Sequence, residues 1–284
     1  MTKNIVILAA GASSRMKKSE VTAGLSSQEI DAANLQSKAL IEIGDSKRPL
    51  LDFILLNVKK AGLKNVILVV GESYEGFKNF YGKELRNNSW NGLNISYAIQ
   101  KVPVGALKPM GTADALLQAM LQFPELSKAS FLVCNGDNLY SVEAIQNLVN
   151  SNSAQGMIAY DRDGLKFDSE RISKFALCKL DNQNNLVAIS EKPEAHKFEA
   201  HADAQGFLSV SMNLWKLDRN IQPNLENCPI HPIRKEKELP TAILKMIREG
   251  TASVTAIPMS EHVPDLTSKA DIIVLKEYLK NYPN

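Results

Sequence analysis

Two short stretches of this chain carry residue types that handle phosphate and its counter-charge. In the first, an apolar run from Ile5 to Ala10 breaks at Gly11 into small residues and then delivers Arg15. Small residues let backbone N–H groups approach phosphate oxygens closely, and a guanidinium just beyond adds charge. The plain alternative is a tight turn with a solvated arginine. The second stretch, Asn135-Gly-Asp137, closes another apolar run. Its aspartate has two readings. One is turn chemistry, which Asn, Gly and Asp all favour; the other is a ligand for Mg²⁺, which takes one or two carboxylates together with substrate phosphates. Both readings stay open on these residues alone.

Either chemistry needs a scaffold that brings strand ends together. Residues 5–10 have the unbroken apolar character of a strand covered on both faces, and 65–70, 93–99 and 130–134 supply three more strands. Between them, residues 50–61 show helical apolar spacing, with Pro49 suited to the first turn and Gly62 to the stop. Thr112 opens another helix, in which Ala113, Leu116, Leu117, Met120 and Leu121 share one face. This alternation predicts an α/β fold: a Rossmann-like, mostly parallel mixed sheet with helices on both faces. Beyond about Gln155 the pattern turns strand-rich, at 172–179, 186–190 and 206–214, and Ser268-Lys-Ala-Asp271 has capping spacing before a closing helix. No repeat or linker divides the chain, so residues 1–284 are expected to form a single domain, with a nucleotide-side half at 1–150 and a second half at 151–284. In such sheets ligands bind at the carboxyl ends of the strands, where residues 11–15 and Asp137 both fall.

Composition narrows the class. With 284 residues and 44% hydrophobic content there is material for an ample core, and a net charge of +2 from interspersed signs offers no face for nucleic acid. Cys134, Cys178 and Cys228 are an odd number at unpaired spacing, which suits a reducing compartment. No segment has signal-peptide character or membrane-spanning length, so a cytoplasmic protein without membrane contact is expected.

Six short segments, in order, resemble the sugar-phosphate nucleotidylyltransferases (NDP-sugar pyrophosphorylases). Leu8-Ala-Ala-Gly-Ala-Ser-Ser-Arg-Met16 looks like the signature loop and Ser37-Lys-Ala-Leu-Ile-Glu-Ile43 like the lysine-bearing segment. Gln100, with Pro109-Met-Gly-Thr-Ala-Asp-Ala-Leu116, resembles the base-reading segment, and Asn135-Gly-Asp137 the metal-aspartate motif. Ser190-Glu-Lys-Pro193 resembles the motif that meets the sugar phosphate, and Pro264-Asp-Leu-Thr-Ser-Lys-Ala-Asp271 the closing segment with a second metal aspartate.

The resemblance implies a GT-A-like nucleotidyltransferase domain whose substrates are a nucleoside triphosphate and a sugar 1-phosphate or other phosphomonoester. Mg²⁺ is the implied cofactor, held by Asp137 and Asp265. Arg15, Lys38 and Lys192 are the implied catalytic cations. Leu8, Ala10, Gly11, Ala12, Ser13, Ser14, Gln100, Gly111 and Thr112 would meet the nucleotide, and Glu191, Ala176, Ser211 and Asn213 the acceptor. No hexapeptide-repeat tail of β-helix type follows the core, so no second acyltransferase activity is expected.

This chain departs from the family pattern in places. Ser13-Ser14 stand where a second glycine is usual, a form closer to cytidylyl- and molybdopterin-nucleotide-transferring relatives. The polar stretch 19–37 lengthens the path to Lys38, as either a short lid helix or a disordered surface insertion, and residues 104–109 lengthen the path from Gln100 to Gly111. Ala176 and Ser211-Met-Asn213 replace residues that normally back the sugar. The phosphate chemistry looks kept and the sugar pocket altered.

The chemistry suits these residues. A phosphate monoester has a second pKa near ~6 and is already ionised at pH 7, so its attack on an α-phosphorus needs no strong general base. It needs two polyanions held in line and neutralised. His196, His201, His231 and His262 form no catalytic constellation, Cys228 and His231 lack a second pair for a metal site, and residues 234–238 read as a solvated approach to a helix. A cytidylyltransferase for phosphocholine or an alditol phosphate is the alternative; a quaternary amine would want an aromatic box, and only Phe175, Phe207 and Trp215 lie near the acceptor region. A catalytically silent subunit is a more distant alternative, and the glycine spacing of an NAD site is lacking. The nucleobase stays open, Gln100 pointing to uridine or thymidine and the serine loop to cytidine. A homo-oligomer also stays open, with 19–37 and 227–238 each able to carry an interface.

Overall fold

The structure, a computed structural model, describes residues 2–282 apart from 45, 174, 191–200, 203–205 and 281. The chain opens with β1 (Asn4–Leu8), helices α1 (Ser14–Lys18) and α2 (Ser27–Leu35), and a hairpin of β2 (Glu42–Ile43) and β3 (Arg48–Pro49). It continues through α3 (Leu50–Lys60), β4 (Asn65–Gly71), α4 (Glu75–Tyr81), β5 (Asn88–Trp90) and β6 (Leu93–Gln100). Next come α5 (Thr112–Gln122), β7 (Phe131–Asn135), α6 (Val142–Asn150), β8 (Gly156–Asp161) and α7 (Ser169–Ile172). The remainder holds β9 (Leu177–Leu180), β10 (Leu186–Ser190), β11 (Ser209–Leu217), α8 (Gln222–Glu226), α9 (Leu239–Arg248), β12 (Thr255–Met259) and α10 (Lys269–Lys280).

Apart from the β2–β3 hairpin, the described strands form one ten-stranded sheet. Its centre is parallel: β1 lies between β4 and β7, and β6 follows β4. Side chains alternate across a strand, and here both faces are covered. Ile5, Ile7, Leu132 and Cys134 pack into the layer that holds α3, α6 and α10. Val6, Phe131 and Val133 point into the opposite layer, with α5, α8 and α9. That double burial is why these strands show no polar alternation. Antiparallel character enters with β11, which pairs with β7, β8 and β9, while β12 runs parallel to β8.

Local details differ from the sequence expectation in three places. Residues 172–179 are not one strand: Asp168 accepts from the Arg171 N–H at 2.8 Å and starts the turn of α7, so β9 begins only at Leu177. The strand expected at 206–214 is β11, shifted to Ser209–Leu217. Pro49 stays outside α3, with φ −54° and ψ 145°, and ends β3 instead. The 19–37 stretch does form the short helix. In α2 the Ser26 hydroxyl accepts from Glu29 N–H and the Glu29 carboxylate accepts from Ser26 N–H at 2.9 Å, a reciprocal capping box, and Glu29 pairs with Lys276 of α10. Among the described residues no helix is long and apolar enough to cross a membrane.

Candidate active site

The carboxyl ends of β1 and β7 meet closely. Gly136 donates its N–H to the Leu8 carbonyl at 3.0 Å, and a Cβ at position 136 would stand 3.2 Å from both that oxygen and the Ala9 Cβ. Glycine therefore allows the two loops to touch. Beyond β1 the chain exposes Gly11, Ala12 and Ser14, while Leu8 and Ala10 stay half-buried. Ser13 takes a left-handed conformation (φ 55°) and its hydroxyl accepts from Lys38 N–H at 3.3 Å. The Ser37 hydroxyl in turn donates to the Ala9 carbonyl at 3.4 Å. These bonds stitch the lysine segment to the first loop, and the Lys38 ammonium pairs with the Asp137 carboxylate.

Asp265 reaches the same place by backbone pairing. Leu139 N–H donates to the Pro264 carbonyl and Leu266 N–H to the Asp137 carbonyl, both at 2.9 Å. Arg171 of α7 donates to the Asp265 carboxylate at 2.7 Å, pairs also with the buried Asp271, and lies 4.4 Å from the centre of the Phe167 ring. Burial, and then the charge of Asp137, push the Asp265 carboxyl above the ordinary carboxylate range, with Arg171 and Lys38 opposing. A pair of carboxylates placed so that one raises the other is an arrangement that a divalent cation relieves. An oxygen-only donor set fits a hard cation such as Mg²⁺. Among the described residues no cluster of three or more His, Cys, Asp or Glu could hold a metal, so phosphate and water oxygens would complete the shell.

A cavity of about 350 Å³ gathers Arg15, Thr112, Asp137, Ala176, Ser211, Asn213 and Asp265, residues drawn from both halves of the chain. Ser211 and Asn213 reach it through a bulge: the pairing of β11 with β8 shifts register between Ser211 and Trp215, and Asn213 is left-handed at φ 59°. The Ser211 hydroxyl accepts from Asn213 N–H at 3.2 Å, and the Tyr140 hydroxyl donates to the Met212 carbonyl at 2.7 Å, which pins the kink.

Gln100 is not brought to the cavity. It is 2% exposed, and its amide donates to the Gly111 carbonyl at 3.0 Å and to Asp114 at 2.7 Å, holding the start of α5. Gly111 has φ +96°, and a Cβ there would lie 2.7 Å from the Lys237 carbonyl. Glu191 and Lys192 lie outside the described residues, as does His196.

Several cavity residues went unrecognised in the sequence. Residues 234–238 do lead into helix α9, but they are not simply solvated: Arg234, Glu236 and Glu238 line the cavity, and Arg234 pairs with Glu238. Their segment is clasped onto α5, with Lys237 N–H donating to the Met110 carbonyl and the Lys237 carbonyl accepting from Ala113 N–H. Asn138 and Thr267 of the lining were also missed, as was Arg171, the partner of Asp265; Asp168 and Ser169-Glu170, a capping pattern, were the available signal for Arg171. Trp215 is fully buried, so it cannot join Phe175 and Phe207 in an open aromatic box.

The family model described as nucleotidyl transferase matches residues 5–257. D-glycero-alpha-D-manno-heptose 1-phosphate guanylyltransferase of Campylobacter jejuni is 26% identical over 155 residues, covering 55% of this chain and 59% of that protein. The bifunctional protein GlmU of Staphylococcus haemolyticus is 25% identical over 260 residues, covering 89% of this chain and 48% of that protein. The chain thus spans about half the length of the curated relatives it matches. Among solved structures, a UDP-glucose pyrophosphorylase complexed with UDP-glucose superposes with a TM-score of 0.71 at 16% identity, covering 100% of both chains, a likeness of fold.

Proposed function

This chain belongs to the nucleotidyl transferase family, and from that premise we propose that it joins a nucleoside triphosphate to a sugar 1-phosphate, giving an NDP-sugar and pyrophosphate. The observation that carries this reading is the single cavity. Arg15, Asp137 and Asp265 line it together with Ala176, Ser211 and Asn213. The similar proteins support the acceptor class more than the base: one is named for a heptose 1-phosphate and guanylyl transfer, another for UDP-glucose.

In the proposed reaction an acceptor phosphate oxygen attacks the α-phosphorus, the bond to the β-phosphate oxygen breaks, and pyrophosphate leaves. The acceptor is ionised at neutral pH, so this chain's residues have positioning and charge to supply. Arg15, exposed at the cavity, takes the triphosphate. Lys38 shares its charge between Asp137 and the incoming phosphates. Lys192, by resemblance, meets the acceptor phosphate. Mg²⁺, when held by Asp137 and Asp265, would neutralise the charge that the phosphates bring together. The buried Trp215 weighs against a cage for a quaternary amine, and so against phosphocholine.

The test is pyrophosphate release with Mg²⁺, crossing ATP, GTP, CTP, UTP and dTTP with a panel of sugar 1-phosphates and phosphocholine. Turnover with a sugar 1-phosphate is expected and names both substrates. Turnover confined to CTP and a non-sugar phosphate would replace this reading with the cytidylyltransferase one, and failure to bind any triphosphate would overturn both.

A further inference from the structure

Lys269 is 2% exposed, yet its ammonium donates to the carbonyls of Met16 at 3.0 Å, Lys17 at 3.2 Å and Ser19 at 2.7 Å. An ammonium has three protons to donate, and here each finds a backbone oxygen at the end of α1. We propose that Lys269 is a positioning residue for Arg15. The inference rests on the reading of Arg15 as a triphosphate contact.

Helix α1 has five residues, Ser14–Lys18. A helix this short cannot hold itself, because nucleation costs more than one turn returns. Its last carbonyls also need partners, and a cation is favoured at that end. Met16 is anchored in the core, which fixes the inner side of α1. Lys269 fixes the end: besides the three ammonium bonds, its N–H donates to the Ser19 hydroxyl at 3.0 Å, and that hydroxyl donates to the Met16 carbonyl at 2.8 Å. Arg15, one turn back, projects from a helix whose other end carries Ser13 and its bond from Lys38. Lys269 therefore decides where the guanidinium stands.

The placement has a second consequence. Lys269 belongs to the same strap as Asp265 and Asp271, the two carboxylates that Arg171 holds. Asp271 also accepts from Thr267 N–H at 2.9 Å and Ser268 N–H at 2.6 Å, which stiffens the strap. The arginine on the triphosphate side and the carboxylate on the metal side are thereby set by one rigid segment.

Calorimetry with Mg²⁺ and each of ATP, CTP, GTP, UTP and dTTP first identifies the triphosphate that the wild-type protein binds. Arg15→Gln and Lys269→Met are each expected to weaken that binding on the order of tenfold, the scale of a lost charged hydrogen bond. The double variant should bind no more weakly than Arg15→Gln alone, because the two residues act through one contact. Lys216→Met is the control, since Lys216 is also buried and donates to the Ser151 carbonyl at 2.6 Å away from the cavity; it should lower the melting temperature without touching triphosphate affinity. Wild-type binding by Lys269→Met, additive losses in the double variant, or an equal loss in Lys216→Met would each overturn the proposal. Wild-type binding by Arg15→Gln would instead overturn the role of Arg15, and the proposal with it. Should Lys269→Met not fold, Ser19→Ala, which removes the hydroxyl between Lys269 N–H and the Met16 carbonyl, takes its place in the same comparison with a smaller expected loss.

Discussion

Asp137 pairs with the Lys38 ammonium, and its charge adds to burial in raising the Asp265 carboxyl. Asp137→Ala should lower Mg²⁺-dependent pyrophosphate release by roughly 10²–10³-fold, the scale of the several kcal/mol a bound cation contributes. Initial rates across a magnesium titration check this, with the melting temperature as a control for folding; a wild-type rate would remove Asp137 from the metal set. Asn213 gives a structural counterpart. Its left-handed backbone turns Ser211–Asn213 into the cavity, and only Gly, Asn or Asp adopt that conformation without strain. Asn213→Gly should unfold in urea within about 0.5 kcal/mol of the wild-type protein, whereas Asn213→Val should lose about 1–2 kcal/mol.

The connection from β12 to α10 carries a pH-dependent element. His262 packs edge-on against Phe167 at 4.7 Å and Tyr278 at 5.8 Å, and its Nδ1 accepts from Lys166 N–H at 3.0 Å. Burial, followed by the charges of Lys166 and Arg171, pushes its pKa down to about 4. The unfolded chain, with an ordinary histidine near ~6.5, binds the proton more readily between these values. The stabilising contribution is therefore present above about pH 6.5 and is lost as the pH falls towards 4. Partial exposure limits it to on the order of 1 kcal/mol. Melting curves from pH 7 to 4 should fall more steeply for the wild-type protein than for His262→Gln; parallel curves would contradict it. The clasp of Lys237 on the start of α5 is equally specific. Gly111→Ala meets both an unfavourable φ and the Lys237 carbonyl, and should cost about 2 kcal/mol, measured by the same unfolding assay.

Across the whole molecule, legibility followed how local the physics was. Strands β1, β4 and β7 were readable because burial on both faces leaves an unbroken apolar run, and the Ser268–Asp271 cap because its partners are three residues apart. The cavity's two carboxylates were readable only through the order of short motifs. Residues 234–238 misled, because alternating charge looks solvated until the chain is folded and Met110 and Ala113 supply its backbone partners from far away in sequence. Gln100, assigned to the base by the resemblance alone, misled for the reverse reason: Gly111 and Asp114 take its amide donors. The change of partners along β11 (β9 at Ser209 and Val210, β7 from Trp215) has a bearing on ancestry as well as on shape. Phe175, Ala176, Ile189 and Ser211–Asn213 all lie within residues 162–217, one uninterrupted cassette, while Arg15, Asp137 and Asp265 lie outside it. Recombining that single stretch of gene would rewrite one part of the pocket lining while keeping Arg15, Asp137 and Asp265, but it would carry along Arg171, the partner of Asp265, so the exchanged piece must bring its own arginine.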